Sequence, residues 1–183
     1  MSLSPINQTN LFSLDNYLLE FVEHYKKKKL PTKILLSGDK GLGKSTLAFH
    51  LVNYILSINE EYPYIIKESK INPDNKSYKL AINGSNPNLL LVDFLSEKKN
   101  IDINQIRELI NKLNKSSFNG KERFIIIDNI ETLNISSINA LLKVLEEPPS
   151  NTYFILINNH RFILPTLKSV SYTHLRAHET KRN

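Results

Sequence analysis

The chain of 183 residues has no cysteine, no tryptophan, one methionine and only five glycines. Without cysteine there is no disulfide framework, no iron–sulfur cluster and no thiolate zinc site. Long apolar stretches are also missing: the longest, such as Phe124 to Ile127 and Tyr153 to Ile157, are strand-length, far below the roughly 20 residues of a membrane-spanning helix. The amino terminus carries no charged segment followed by an apolar one, so a cytoplasmic protein without membrane contact is expected. What is present is globular: 40% hydrophobic and 23% charged residues, with a net charge of +6. Lys, Asn and Ile are abundant together, which makes the positive charge a feature of composition before it is a sign of a polyanion partner.

Apolar positions at Leu14, Leu18, Phe21, Val22 and Tyr25 predict a helix within Leu11 to Lys29, ended by Lys26 to Lys29 and by Pro31. Lys33 to Ser37 predicts a short strand running into glycines, and Ser45 to Ile58 an amphipathic helix after them. Glu60 to Asn88, with three prolines and no sustained period, reads as a long loop or insertion with short strands. Leu89 to Asp93 is expected to be a buried strand. Asp102 with Gln105 resembles a capping box opening a helix through Ile103, Ile106, Ile110 and Leu113. Arg123 to Asp128 and Tyr153 to Asn158 are apolar on both faces, as central parallel strands are, and Ile138, Leu141, Leu142 and Leu145 form a helix stopped by Pro148 and Pro149. Strands alternating with helices predict an α/β fold, a doubly wound parallel sheet with helices on both faces.

Gly38-Asp39-Lys40-Gly41-Leu42-Gly43-Lys44-Ser45 satisfies G-x-x-x-x-G-K-[ST] and lies between a predicted strand and a predicted helix. Such a loop turns its N–H groups inward around phosphate oxygens at a helix N-terminus. Gly38 to Ser45, with Thr46, are therefore the expected nucleotide-binding residues, for ATP with Mg²⁺. Lys44 is expected at the β- and γ-phosphates, and Ser45 and Asp128 on the metal side. Asn129 follows Asp128 and cannot act as a general base. Glu131 is the alternative carboxylate, and weak or absent hydrolysis is expected. Asn158 and Asn159 end the last predicted strand, where an amide can face the γ-phosphate, and Asn158 is the favoured sensor. His24, His50 and His160 have no metal-ligand spacing.

From Val170 the hydrophobic periodicity stops. Val170-Ser171-Tyr172-Thr173-His174-Leu175-Arg176-Ala177-His178-Glu179-Thr180 is similar to one reading frame of a transposase-derived sequencing adapter. Residues 170–183 are thus expected to be a non-native tail after a nucleotide-binding domain over 1–169. Setting aside Arg176, Lys181, Arg182 and Glu179, three cations and one anion, lowers the net charge from +6 to +4.

The P-loop, Asp128 and Asn139-Ala140-Leu141-Leu142-Lys143-Val144-Leu145-Glu146-Glu147-Pro148-Pro149 together resemble the clamp-loader branch of the AAA+ ATPases, in particular the gamma/tau and delta-prime subunits of bacterial DNA polymerase III. Asn83 to Leu89, Ile103 to Leu109 and Leu164 to Ser169 extend the resemblance over about Leu11 to Ser169. It implies a three-layer, RecA-like P-loop NTPase, here without the family's last strand, lid and collar, and with Val170 where the family carries a finger arginine. The absence of the motor subunits' four-cysteine zinc insertion, and Asn129 in place of their Glu, resemble delta-prime. That branch implies a stator in a ring with gamma/tau and delta subunits, which loads a sliding clamp onto primer-template DNA without reading its sequence. The alternatives are an active motor subunit using Glu131 and, remotely, a P-loop small-molecule kinase.

Overall fold

The computed structural model describes residues 4–93, 100–114, 120–160, 165–169 and 174–176. Its framework is a parallel sheet whose strands are short apolar runs: β1 (Lys33–Ser37), β2 (Leu89–Val92), β3 (Arg123–Ile127) and β4 (Thr152–Asn158). Parallel strands are hydrophobic on both faces because helices cover both. Side chains alternate accordingly. Ile34, Leu36, Phe124, Ile126, Ile155 and Ile157 join one core with α1 (Asp15–Lys26) and α2 (Lys44–Ser57). Leu35, Ile125, Ile127, Phe154 and Leu156 join the other with α4 (Ile103–Leu113) and α5 (Ile135–Glu146). The expected α/β three-layer arrangement is therefore present, and the Asp102–Gln105 capping box is formed.

The strand order is β2-β3-β4-β1-β5, with β5 spanning His174–Arg176. The order of the strands reverses between the parallel neighbours β1 and β4, and such sheets bind ligands beyond the carboxyl ends of the strands at that point. Ser37 pairs in register with Asn158, Val92 with Ile127, and Ile127 with Leu156. Residues following all four strands thus meet along one edge of the sheet.

Two expectations are corrected. A last strand is not missing: β5 pairs in parallel with β1 through Leu35↔His174 to Ser37↔Arg176, so the sheet extends past Ser169. Main-chain pairing with the open edge of β1 makes little demand on side chains, and a three-residue strand is too short to show a hydrophobic period. The stretch Glu60 to Asn88 is not only loop, since it contains α3 (Lys76–Ile82). That helix is tied down by polar contacts instead of an apolar stripe: Asn75 accepts from the Tyr78 N–H, the buried Asn53 and Asn75 amides pair, and Glu60 accepts from the Ser77 N–H. A short α6 (Pro165–Ser169) follows β4. Arg161 to Leu164, Val170 and the expected tail apart from residues 174–176 lie outside the described residues.

His50 of α2 is fully buried and joins three segments. Its Nε2 lies 3.0 Å from the Gln8 carbonyl and its Nδ1 2.7 Å from the Tyr64 hydroxyl. A carbonyl only accepts, so Nε2 carries the proton and Nδ1 accepts from Tyr64. Burial lowers the His50 pKa from 6.5 to about 4. The unfolded chain then binds a proton that the folded chain refuses, so the stability His50 contributes is complete above pH 6.5 and is lost as pH falls toward 4. Urea denaturation at pH 5 should show about 2 kcal/mol less stability than at pH 7 from this group. A His50→Gln variant, which does not titrate, should lack that increment.

Candidate nucleotide site

Between β1 and α2 the chain makes a tight loop. Gly41 and Gly43 take φ values of 90° and 80°, and Gly43 caps α2 in the left-handed region. The positive φ makes glycine the fitting residue at 43, and a Cβ there would also stand 3.1 Å from Leu14 Cδ1, which would have to shift. No side chain caps the N-terminus of α2, which leaves its first-turn N–H groups to a ligand.

Lys44 sits inside the loop, 7% exposed, and donates to the carbonyls of Gly38 at 2.9 Å and Asp39 at 2.7 Å. Desolvation pulls its pKa below the ordinary lysine value, while Asp128, Glu131 and Asp39 work against that pull. One buried cation facing carboxylates beside open helix N–H groups is an arrangement for anionic oxygen. The Ser45 hydroxyl donates to Asp128 Oδ2, across 83 residues of chain. Thr46 is buried, and Asp39, Lys40 and Leu42 form the exposed outer turn of the loop.

Asp128, half-buried just beyond β3, also accepts from the Asn129 N–H at 2.7 Å and from Asn159 Nδ2 at 3.1 Å. Glu131, in a 3-10 turn over Ile130–Thr132, accepts from the Asn159 N–H at 3.1 Å. Asn159 therefore spans two of the three carboxylates that act on Lys44. Asn158, the expected sensor, is placed otherwise: it is buried, and its amide donates to Ser37 Oγ at 3.3 Å and to the His160 carbonyl at 2.5 Å. The reason is register. Asn158 is the last residue of β4 paired with β1, so its side chain is spent on its neighbour, and the next residue reaches the strand tips.

The remaining participant has no motif to announce it. Asp93, directly after β2, accepts from Asn129 Nδ2 at 2.8 Å, and its carbonyl accepts from Gln105 of the α4 capping box at 2.8 Å. Its only sequence signal is the one Asp128 also carries, an acidic residue ending an apolar strand.

A family model described as DNA polymerase III, delta subunit, matches residues 14–176. The chain belongs to that family. Among its relatives is the DNA polymerase III subunit delta' of Buchnera aphidicola subsp. Baizongia pistaciae, 32% identical over 161 residues, which cover 82% of this chain and 45% of the relative. The subunit delta' of Pseudomonas aeruginosa is 29% identical over 136 residues, 74% of this chain and 40% of that one. The subunit tau of Bacillus subtilis is 30% identical over 155 residues, 84% and 24% respectively. The family membership and these relatives make the chain a clamp-loader member of delta-prime type. It spans less than half the length of the curated relatives it matches. Two solved structures bear on the fold alone: a gamma subunit-related protein of Thermotoga maritima, with TM-score 0.63 and 23% identity over 90% of this chain and 47% of that one, and the RuvB branch migration motor of the same organism, with TM-score 0.53 and 16% identity over 94% and 49%. The fold is that of the AAA+ P-loop proteins.

Proposed function

We propose that this delta-prime-type chain binds ATP with Mg²⁺ at the Gly38–Ser45 loop and serves in the cytoplasm as the stator of a clamp-loading ring. Its partners there would be gamma/tau and delta subunits, a sliding clamp and primer-template DNA, contacted through phosphates without regard to sequence. The observation that carries the nucleotide part is Lys44 held inside the loop beside the Ser45–Asp128 contact. The residues present fit the ligand: the loop N–H groups and Lys44 would hold the phosphates, and Ser45 and Asp128 the metal side. Bound Mg²⁺ supplies neutralisation of phosphate charge.

The stator part is supported by what stands next to Asp128. Asn129 is neutral and takes no proton, and one oxygen of Glu131, Oε2, already accepts the Asn159 N–H. The residue directly after Asp128 therefore cannot activate water, and Glu131 would have to do so through its other oxygen. Calorimetric titration with ATP and Mg²⁺ should therefore show binding, and phosphate release from the same sample should stay at background. Sustained release that disappears in Glu131→Gln would make the chain a motor subunit instead.

A further inference from the structure

Asn129 does more than replace a base. Its backbone lies in the left-handed region, φ 54°, which asparagine tolerates better than most side chains. It is fixed there by its own N–H on Asp128 and by the Thr132 hydroxyl, which donates to its carbonyl at 2.8 Å. Its side chain is used at both ends. Nδ2 donates to Asp93 Oδ1 at 2.8 Å, and Oδ1 accepts from Asn159 Nδ2 at 2.9 Å. The polarity of this chain of bonds is forced. Ionised Asp93 only accepts, so the end of Asn129 facing it is the NH₂ and the other end is the oxygen. Asp128 also only accepts, so the NH₂ of Asn159 faces Asp128 and forks to the Asn129 oxygen. A carboxylate at 129 would meet Asp93 with like charge, and an apolar side chain would leave both neighbours without this partner.

We propose that Asn129 is a positioning residue: anchored on Asp93, its amide holds the Asn159 amide with the NH₂ toward Asp128, and thereby strengthens the preference of the site for ATP over ADP. The preference rests on the nucleotide reading above; the hold on Asn159 does not. A terminal amide torsion is broad and roughly two-fold, so an Asn159 amide released by Asn129 is held by Asp128 alone and turns to present oxygen more often than in the unchanged chain. Oxygen toward a terminal phosphate repels it, whereas NH₂ donates to it. ADP lacks the group that reads this difference.

Two readouts on the full chain test the proposal. Without nucleotide, the Asn159 side-chain NH₂ signals in ¹H–¹⁵N spectra should move in both Asn129→Ala and Asp93→Ala. With nucleotide, the ratio of ATP to ADP affinity should fall about tenfold in Asn129→Ala, the loss of one hydrogen bond's worth of orientation. In Asp93→Ala it should fall by a smaller factor, and Asp93→Ala should add nothing in the Asn129→Ala background. The sign at Asp93 is decisive. Removing a negative charge near the site would by simple electrostatics favour the more anionic ATP, whereas loss of positioning disfavours it. An Asp93→Ala ratio that stays level or rises overturns the preference, and Asn159 signals unmoved in both variants overturn the hold. If the unchanged chain binds neither nucleotide, the nucleotide reading and the preference fall together, and the Asn159 signals alone decide the hold. Asp93 is exposed beyond the end of β2, so its variant keeps the test open should Asn129→Ala not fold.

Discussion

Lys44→Ala is expected to lower ATP affinity about a hundredfold, through the loss of charge-assisted bonds to phosphate together worth about 3 kcal/mol. The ammonium is already placed: it donates to the Gly38 and Asp39 carbonyls from inside the loop and is 7% exposed, so phosphate need only exchange with those carbonyls. The exchange is favoured because Lys44 is desolvated where it stands, and a phosphate is a better partner for a buried cation than a neutral carbonyl. Thermal unfolding provides the check. At ATP about a hundred times its Kd, the unchanged chain should gain about 2.7 kcal/mol, seen as a rise in Tm of about 5–10 °C for a domain of this size. In Lys44→Ala the same ATP concentration lies near Kd, and the rise should shrink to about 1 °C. A full rise in the variant would mean that nucleotide is held elsewhere than in this loop.

Much of the frame was readable from periodicity, and where it was not the reason is physical. β1 falls on the predicted Lys33–Ser37, and β2 and β3 each stop one residue short of the predicted aspartate, because Asp93 and Asp128 leave the ladder to face the strand tips. The double-sided apolar strands signalled a covered parallel sheet, and the glycine spacing signalled the loop. α3 escaped because its anchors, Asn53 with Asn75 and Glu60 with Ser77, are polar pairs that no hydrophobic period reveals. At the site, Lys44, Ser45 and Asp128 were legible because a local motif and a strand end mark them. Choosing between Asn158 and Asn159 was a matter of one residue of register against β1, and pairing, not residue type, decides which amide reaches Asp128. Asp93 and the double use of the Asn129 amide are products of three strand tips meeting, each contributed from a different part of the chain. Asn129 is informative in both directions: a neutral residue predicts poor water activation, and only the fold shows it as the link between Asp93 and Asn159.

The run Asn139 to Pro149, the sharpest family signature in the sequence, divides into two kinds of position, and the division predicts opposite outcomes. Leu141 and Leu145 are fully buried, and they share the core that also holds Leu35, Phe154 and Leu156 under the sheet. Leu141→Ala removes a buried isobutyl group from between α5 and the sheet and should cost about 3 kcal/mol, the transfer loss plus the cavity left behind. Tm should then fall by about 6–12 °C for a domain of this size. Asn139 and Lys143 lie on the same helix but are exposed, so Asn139→Ala and Lys143→Ala should change stability by no more than about 0.5 kcal/mol. Thermal unfolding of the three variants separates the parts. If Lys143→Ala destabilises as much as Leu141→Ala, the exposed positions serve the fold. If it does not, packing accounts for the leucines alone, and the exposed polar positions of α5 are left for contacts outside the chain, as the proposed place in a ring requires.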